Sequence, residues 1–329
     1  MENKKTESTS FNHDAHILYV VIPCYNEEEV LNETARRLKE KLESLATLRQ
    51  ISHNSRILFV DDGSKDRTWD MICQLHNKSP LFSGVKLAHN KGHQNALLAG
   101  LTTASLYADI IISMDADLQD DIHAIDDMIR KYEAGNDIVY GIRKSRKNDT
   151  FFKRFTAENF YKFMAFLGVE TIFNHADYRL MSRRSVEALM EYREVNLFLR
   201  GIIPQLGFRT ATVEYDRGVR FAGESKYPLQ KMLSFAFEGI TSFSIRPIRL
   251  ITIVGFLIFG ISAIMLIWSF VNKWIGNTVQ GWTSLMISIW MIGGLQILSI
   301  GIIGEYIGKT YKETKHRPRY IIEETRIKP

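Results

Sequence analysis

Ile110-Ile111-Ile112-Ser113-Met114-Asp115-Ala116-Asp117 is an apolar run that stops abruptly at two carboxylates one residue apart. The pattern predicts a buried β-strand over 109–114. Side chains alternate along a strand, which would send Asp115 and Asp117 the same way off its carboxyl end. In open α/β sheets, ligands bind at that end. Two carboxylates converging there repel unless a cation or a sugar hydroxyl lies between them. Hard oxygen ligands suit Mg²⁺ or Mn²⁺, which would then hold the phosphates of a substrate. A lone Asp-x-Asp pair also suits a solvated loop or a helix cap. The strand before it and the segments around it favour a site.

Working outward, short apolar runs at 17–23, 56–61, 84–88, 109–114 and 137–140 read as strands, and 28–45, 66–76, 94–104 and 122–132 read as helices. Such alternation predicts a mainly parallel sheet with right-handed crossovers. A further strand-like run occupies 209–215. The first strand leads into Pro23-Cys24-Tyr25-Asn26-Glu27-Glu28, and the second ends in Asp61-Asp62-Gly63-Ser64 with Asp66 and Thr68 just after. The third leads to Asn90-Lys91-Gly92-His93, so all three land on the sheet edge that carries Asp115 and Asp117. An aromatic to stack on a base and an acid to accept from an imide N–H suit a uridine pocket. Each motif alone has a simpler role: Asn26 and Ser64 as helix caps, Gly63 and Gly92 as turn residues. Four of them, each ending a strand, favour a ligand site. No Gly-x-Gly-x-x-Gly follows the first strand and no Gly-x-x-x-x-Gly-Lys-Ser/Thr loop is present, which disfavours dinucleotide oxidoreduction and P-loop hydrolysis. His and Cys spacings offer no zinc site.

The 329 residues accommodate one large α/β domain and an appendage, with a modest net charge of +5. Residues 1–16 are polar, unlike a signal peptide, and read as a loose tail. Cys24 and Cys73 give no disulfide framework and fit buried thiols in a reducing compartment. The carboxyl third differs. Stretches 250–271 and 275–304 carry no charge, and each exceeds the roughly 20 residues that cross a hydrocarbon core. Lys273 is the only charge between them, so the pair reads as a helical hairpin rather than as two core helices. Arg246 and Arg249 precede it, and Lys309, Lys312, Lys315, Arg317 and Arg319 follow, which places both ends in the cytoplasm. Trp268, Trp274 and Trp282 gather near the far turn as interfacial aromatics do. Ahead of the hairpin, 227–245 has the pattern of an interfacial amphipathic helix. The phenylalanine-rich stretch 151–168 suits a core helix, a lipid-facing helix or a subunit contact. Self-association as a homo-oligomer is compatible with it and with the short hairpin. The expected layout is a tail over 1–16, an α/β domain over 17–226, an interfacial helix over 227–247, two transmembrane helices over 248–307 and a basic cytoplasmic tail over 308–329.

Three of these segments resemble the motifs of glycosyltransferase family 2: Val21-Ile22-Pro23-Cys24-Tyr25-Asn26-Glu27-Glu28, Val60-Asp61-Asp62-Gly63-Ser64-Lys65-Asp66-Arg67-Thr68 and Met114-Asp115-Ala116-Asp117-Leu118-Gln119-Asp120. More closely, the chain is similar to the polyprenyl-phosphate glycosyltransferases, namely dolichol-phosphate mannose synthases and bacterial bactoprenol-phosphate glucosyl- or N-acetylglucosaminyltransferases. The resemblance runs from Ile17 to about Tyr311 and takes in Asn90-Lys91-Gly92-His93-Gln94-Asn95-Ala96, Asp177-Tyr178-Arg179-Leu180 and Arg220-Phe221-Ala222-Gly223-Glu224-Ser225-Lys226-Tyr227. It implies a GT-A fold and inverting transfer from a nucleotide sugar with Mg²⁺ or Mn²⁺. Carried over, Pro23, Tyr25, Glu27 and Asp62 line the nucleoside pocket, with Asn90 and Gly92 also on the nucleotide. Asp115 sits near ribose and metal, Asp117 ligates the metal, and Gln119 and Asp120 face the sugar. Asp177 occupies the position often assigned the catalytic base, with Arg179 beside it. One departure is visible: Ile122 stands where the family usually has proline, a helix-start convenience.

A lipid phosphate monoester has a second pKa near ~6, so at pH 7 it is mostly dianionic and needs little deprotonation. Asp177 would then serve by orienting the acceptor, positioning Arg179 or stabilising developing positive charge; a plain ion pair with Arg179 is the simpler role. The basic loop with Arg217, Arg220, Ser225 and Lys226 reads as a clamp for the acceptor phosphate, compatible with attraction to anionic headgroups. The expected activity is transfer of a single hexose from UDP-glucose or UDP-N-acetylglucosamine to undecaprenyl phosphate at the cytoplasmic face of a bacterial plasma membrane. A separate flippase and a second glycosyltransferase would follow, and no nucleic-acid partner is implied. A GDP-mannose donor is the alternative. A processive polysaccharide synthase would carry Gln-x-x-Arg-Trp and more spans, whereas here the comparable region is Leu197-Phe198-Leu199-Arg200-Gly201. A non-enzymatic membrane scaffold conflicts with the intact acids at every strand end.

Overall fold

The computed structural model describes residues 15–143, 175–194, 197–216, 246–275 and 281–327. The phenylalanine-rich stretch 151–168, the expected clamp residues Arg217, Arg220, Ser225 and Lys226, and the expected interfacial helix 227–245 lie outside the described residues.

Eight strands form one sheet: β1 (Leu18–Cys24), β2 (Arg56–Asp61), β3 (Phe82–Leu87), β4 (Ile110–Ser113), β5 (Ile138–Arg143), β6 (His175–Ser182), β7 (Thr210–Tyr215) and β8 (Ile322–Arg326). Their spatial order is β7-β5-β6-β4-β1-β2-β3-β8. Strands β1 to β4 pair in parallel, as do β5 and β7, while β6 runs antiparallel between β4 and β5, and β8 antiparallel on β3. The result is a mostly parallel GT-A-like α/β sheet. The chain reverses its direction of travel across the sheet between β1 and β4, and the crevice at such a switch point is where open α/β sheets take ligands.

Alternation along the strands builds two cores. Leu18, Val20, Ile22, Ile110 and Ile112 face one side, against α1 (Leu31–Thr47), α2 (Thr68–Lys78) and α4 (Ala124–Glu133). Tyr19, Val21, Val60 and Ile111 face the other, against α3 (His93–Ser105), α5 (Arg183–Met190) and the single turn α6 (Leu199–Ile202). Helix α1 forms because Leu31, Ala35, Leu38, Leu42 and Leu45 repeat at helical spacing and bury one stripe. Each fully buried aliphatic side chain contributes roughly 1.5–3 kcal/mol, so the strand ends that carry the site rest on a rigid base.

The structure departs from the sequence expectation at the Asp pair. Strand β4 ends at Ser113, and the acids follow in a turn rather than on the strand. Asp117 Oδ1 accepts from the Gln119 amide at 3.1 Å, and Leu118 adopts a left-handed φ of 58°. This side-chain-to-backbone bond competes with extended pairing and closes the turn. The basic carboxyl end holds a second difference. The last helix runs on to Thr314, and 322–326 then adds β8 to the edge of β3, tied by Lys86 to Glu323 at 3.0 Å and Trp69 Nε1 to Glu324 Oε2 at 3.2 Å.

The hairpin helices are α7 (Arg246–Trp274) and α8 (Trp282–Thr314), of 29 and 33 residues. Large apolar side chains such as Phe256, Leu257, Ile261, Ile264 and Ile297 stand exposed along them. Some side chains of both helices lie outside the described set, and among the described residues no helix is long and apolar enough to cross a membrane. The complete sequence still carries the two uncharged runs, 250–271 and 275–304.

Candidate active site

The first three parallel strands deliver their loops to one edge, and hydrogen bonds lace those loops together. The Asn26 amide donates to Ser64 Oγ at 3.0 Å, and Asn26 Oδ1 accepts from the Lys65 amide at 2.9 Å. The Glu27 amide donates to Thr68 Oγ1 at 2.9 Å. Asn26 and Ser64 therefore join loops instead of capping α1 and α2, whose N-cap positions are Val30 and Arg67. Pro23 is buried at the end of β1, Tyr25 stands 41% exposed at the rim, Glu27 is half-buried and Asn90 is exposed. Asp62 is buried, and its two oxygens accept from the Lys91 amide at 2.7 Å and the Gly92 amide at 2.8 Å. Its carboxylate thereby shapes the third loop, and Gly92 sits at the N-cap of α3 with φ +86°.

Gly63 is the point where two loops touch. Its φ is +66°, and a Cβ there would lie 2.7 Å from the Asn90 nitrogen and 2.8 Å from the His89 carbonyl carbon. Backbone cannot step aside as a flexible side chain would. Gly63→Ala is expected to displace the third loop and destabilise the fold by about 1–3 kcal/mol. An unchanged thermal unfolding midpoint would contradict that close approach.

Strand β6 brings the opposite wall. Because it runs antiparallel to β4, Asp177 near its start reaches the same edge, with Ser113 Oγ donating to its carbonyl at 2.6 Å. The Asp177 carboxylate is a hub. Arg179 Nη2 donates to Oδ1 at 2.5 Å, while Arg200 donates through Nε to Oδ1 at 3.2 Å and through Nη2 to Oδ2 at 3.0 Å. His93 Nε2 is 3.5 Å from Oδ2 and also 3.7 Å from Asp115 Oδ1. Burial alone would raise the Asp177 carboxyl; His93, Arg179 and Arg200 outweigh it and hold the group well below the usual range. His93 shifts upward: burial opposes its charged form, and Asp177 and Asp115 more than compensate. Arg179 is completely buried, with Nε and Nη1 lacking partners.

The acids of the β4 turn face the opposite electrostatic situation. Burial first, then the charges of Asp120, Asp177 and Asp117, push the Asp115 carboxyl up to about 6 despite the pull of His93. Its side chain remains 34% exposed, opening on the cleft. Asp120 is buried, its Oδ1 accepts from the Tyr215 hydroxyl at 2.5 Å and from Arg143 Nη2 at 3.5 Å, and its Oδ2 has no partner. Gln119 is buried beside it. Three carboxylates crowd here, with Arg143 against Asp120 and His93 beside Asp115.

The fold thus gathers Asp115, Asp177 and Arg179 in one cluster, with Asp117 and Asp120 close enough to act on the Asp115 charge. Sequence reasoning gave no role to His93, Arg143, Arg200 or Tyr215. His93 follows the Gly92 cap directly, and Arg200 sits within the segment compared with the Gln-x-x-Arg-Trp motif. Only the sheet order shows that they meet Asp177.

The comparisons agree with this architecture. Residues 19–190 match the family Glycosyl transferase family 2, and residues 246–310 match the GtrB C-terminal hairpin. The chain is 56% identical over 307 residues to the uncharacterized glycosyltransferase YkoT of Bacillus subtilis, covering 93% of this chain and 91% of that protein. It is 42% identical over 306 residues to a prophage bactoprenol glucosyl transferase homolog of Escherichia coli, covering 92% and 97%. It is 40% identical over 311 residues to the bactoprenol glucosyl transferase of Shigella phage SfV, covering 94% and 99%. With its acidic turn at the switch point, its domain match and relatives similar along almost their whole length, the chain belongs to glycosyltransferase family 2 and is a glycosyltransferase.

Proposed function

We propose that this enzyme transfers one hexose, with inversion, from UDP-glucose or UDP-N-acetylglucosamine to undecaprenyl phosphate at the cytoplasmic face of a bacterial plasma membrane. The observation that carries it is the convergence of Asp115, Asp117, Asp120 and Asp177 at the sheet's switch point, in a chain whose sequence continues into the uncharged runs 250–271 and 275–304. Similarity to proteins named bactoprenol glucosyl transferase favours a polyprenyl phosphate acceptor and a glucosyl donor. The uncharged runs 250–271 and 275–304 cross the bilayer, with both basic flanks inside. Two spans are too few for a transport path, so a separate flippase and a second transferase would use the product.

Among the described residues no set of three His, Cys, Asp or Glu side chains closes a metal site. Asp115 and Asp117 nonetheless fit Mg²⁺ or Mn²⁺, since such ions commonly take one or two carboxylates and complete their shell with substrate phosphates and water. Burial first, and then Asp120, Asp177 and Asp117, disfavour the ionised Asp115 carboxylate, a cost that a bound cation would offset. Such an ion would supply charge stabilisation to the departing diphosphate.

In the reaction, an acceptor phosphate oxygen attacks the anomeric carbon. The bond from that carbon to the diphosphate breaks, and its electron pair leaves on UDP. The acceptor is largely dianionic at pH 7, and Asp177, held as a low-pKa carboxylate between two guanidiniums, is a poor proton acceptor. Its part is to fix the wall of the cleft. Tyr25 is exposed, which leaves its ring free to take the base-stacking role proposed for it. The loop with Arg217, Arg220, Ser225 and Lys226 supplies the acceptor clamp.

The test uses full-length enzyme in membranes, incubated with each radiolabelled donor and undecaprenyl phosphate. Label is expected to pass into the organic extract from one donor, and the protein is expected to stay in the pellet after an alkaline wash. Label remaining water-soluble with every donor, or protein released by alkali, would contradict the proposal.

A further inference from the structure

Asp177 carries more positive charge around it than it can neutralise. One carboxylate faces the guanidiniums of both Arg179 and Arg200, and both arginines bond it directly. The two cations are not equivalent. Arg179 lies wholly beneath the surface, its side chain 0% exposed, and no ligand reaches it. Arg200 has a side chain 35% exposed at the cleft. Its Nε and Nη2 are committed to the two Asp177 oxygens, a fork that fixes the guanidinium plane and leaves Nη1 outside the pair.

The segment that presents Arg200 is fixed as well. The Leu199 amide donates to Oε1 of Gln94, in the first turn of α3, at 3.2 Å, and Leu199 and Ile202 are buried against the α3 side of the sheet. Arg200 feels the charge of Asp115, and His93 touches Asp115 and Asp177 together. The cleft therefore holds two adjoining fields of opposite sign. Asp115, Asp117 and Asp120 outnumber Arg143 and make one edge net negative, and Arg200 backed by Arg179 makes the next edge positive. A group that carries negative oxygens and sits beside a cation fits that junction, which is the chemistry of a phosphate.

We propose that Arg200 is a catalytic residue that contacts a phosphate oxygen in the reaction, and that Asp177 and Gln94 are positioning residues which aim it. The phosphate belongs either to the nucleotide-sugar diphosphate or to the lipid acceptor. The inference rests on the proposed donor and acceptor classes and adds a residue to them. A preorganised guanidinium in a partly dry cleft stabilises charge where it develops, and its planar fork is not reproduced by an ammonium.

The experiment compares wild-type, Arg200→Lys and Arg200→Gln full-length enzyme in detergent. It measures UDP dissociation constants, the KM for polyprenyl phosphate, kcat and thermal unfolding. Arg200→Gln is expected to lower kcat by about 10²-fold or more, and Arg200→Lys is expected to recover part of that loss. A tenfold weaker UDP affinity with the acceptor KM unchanged places the contact on the donor diphosphate. A tenfold higher acceptor KM with UDP affinity unchanged places it on the lipid phosphate. Lower stability or kcat in both variants, with both affinities unchanged, would overturn the phosphate contact and leave Arg200 as a support for Asp177. If Arg200→Gln does not fold, the lysine variant alone decides by the same affinities. Should the wild-type enzyme make no lipid product from any donor, the proposed reaction fails, and UDP and inorganic phosphate binding still test Arg200.

Discussion

Asp177→Ala is expected to destabilise the protein by about 3–5 kcal/mol as well as to abolish transfer, because it strands Arg179 as an unpaired charge in a fully buried position. An acid acting only as a proton acceptor at an open cleft would cost activity and little stability. The double variant Asp177→Ala with Arg179→Met removes both charges, and replacing a buried pair by apolar groups is often neutral. It is expected to regain most of the lost stability and none of the activity. The pH dependence has a definite sign. The Asp177 carboxyl is depressed in the folded state, so its contribution is present above the unfolded value of about 3.9 and fades only as pH falls through the lower folded value. The carboxyl's own contribution is therefore flat from pH 5 to 8. Against the cost of burial, Asp177 also raises His93. That contribution is present below the unfolded histidine value of about 6.5 and lost as pH rises through the folded one. The stability difference between wild type and Asp177→Ala is thus expected to shrink as pH rises toward 8 in thermal unfolding. A full-strength Asp177→Ala fold, or a difference that grows as pH rises toward 8, would contradict the hub.

Asp117→Ala is expected to have a large catalytic effect with a small structural one. Its carboxylate is half-buried and bonds the Gln119 amide within its own turn, so its loss costs about 1 kcal/mol of stability. Charge stabilisation by a bound divalent ion contributes several kcal/mol to a phosphate-leaving step, which corresponds to a fall in kcat on the order of 10³-fold or more. The check is kcat at saturating Mn²⁺ and Mg²⁺ alongside thermal unfolding. A kcat within threefold of wild type at saturating cation would remove Asp117 from the centre of the mechanism.

The parallel half of the sheet was legible because burial on both faces forces unbroken apolar sequence. Ile110-Ile111-Ile112 and the run from Leu18 to Ile22 have no polar position to hide them. Strand β6 was legible only as a motif, for the opposite reason. Its inward positions include Asp177 and Arg179, and a buried ion pair interrupts the apolar alternation that marks a strand. Strand β8 reads Ile-Glu-Glu-Thr-Arg, the charged composition of a protected edge strand, which in sequence looks like a solvated tail. The acidic residues of the site stood out because they follow apolar strands. Their exact disposition did not, since the turn depends on a left-handed Leu118 that no residue preference foretells. His93, Asp177 and Arg200 meet only through the antiparallel insertion of β6, a feature of topology with no local signature.

The most direct measurement is the mass of the lipid product together with the nucleotide released in the same reaction. One hexose on the polyprenyl phosphate, with one UDP freed per product, is the expected result. Release of UMP, or a lipid carrying a chain of sugars, would contradict single-hexose transfer to a lipid phosphate.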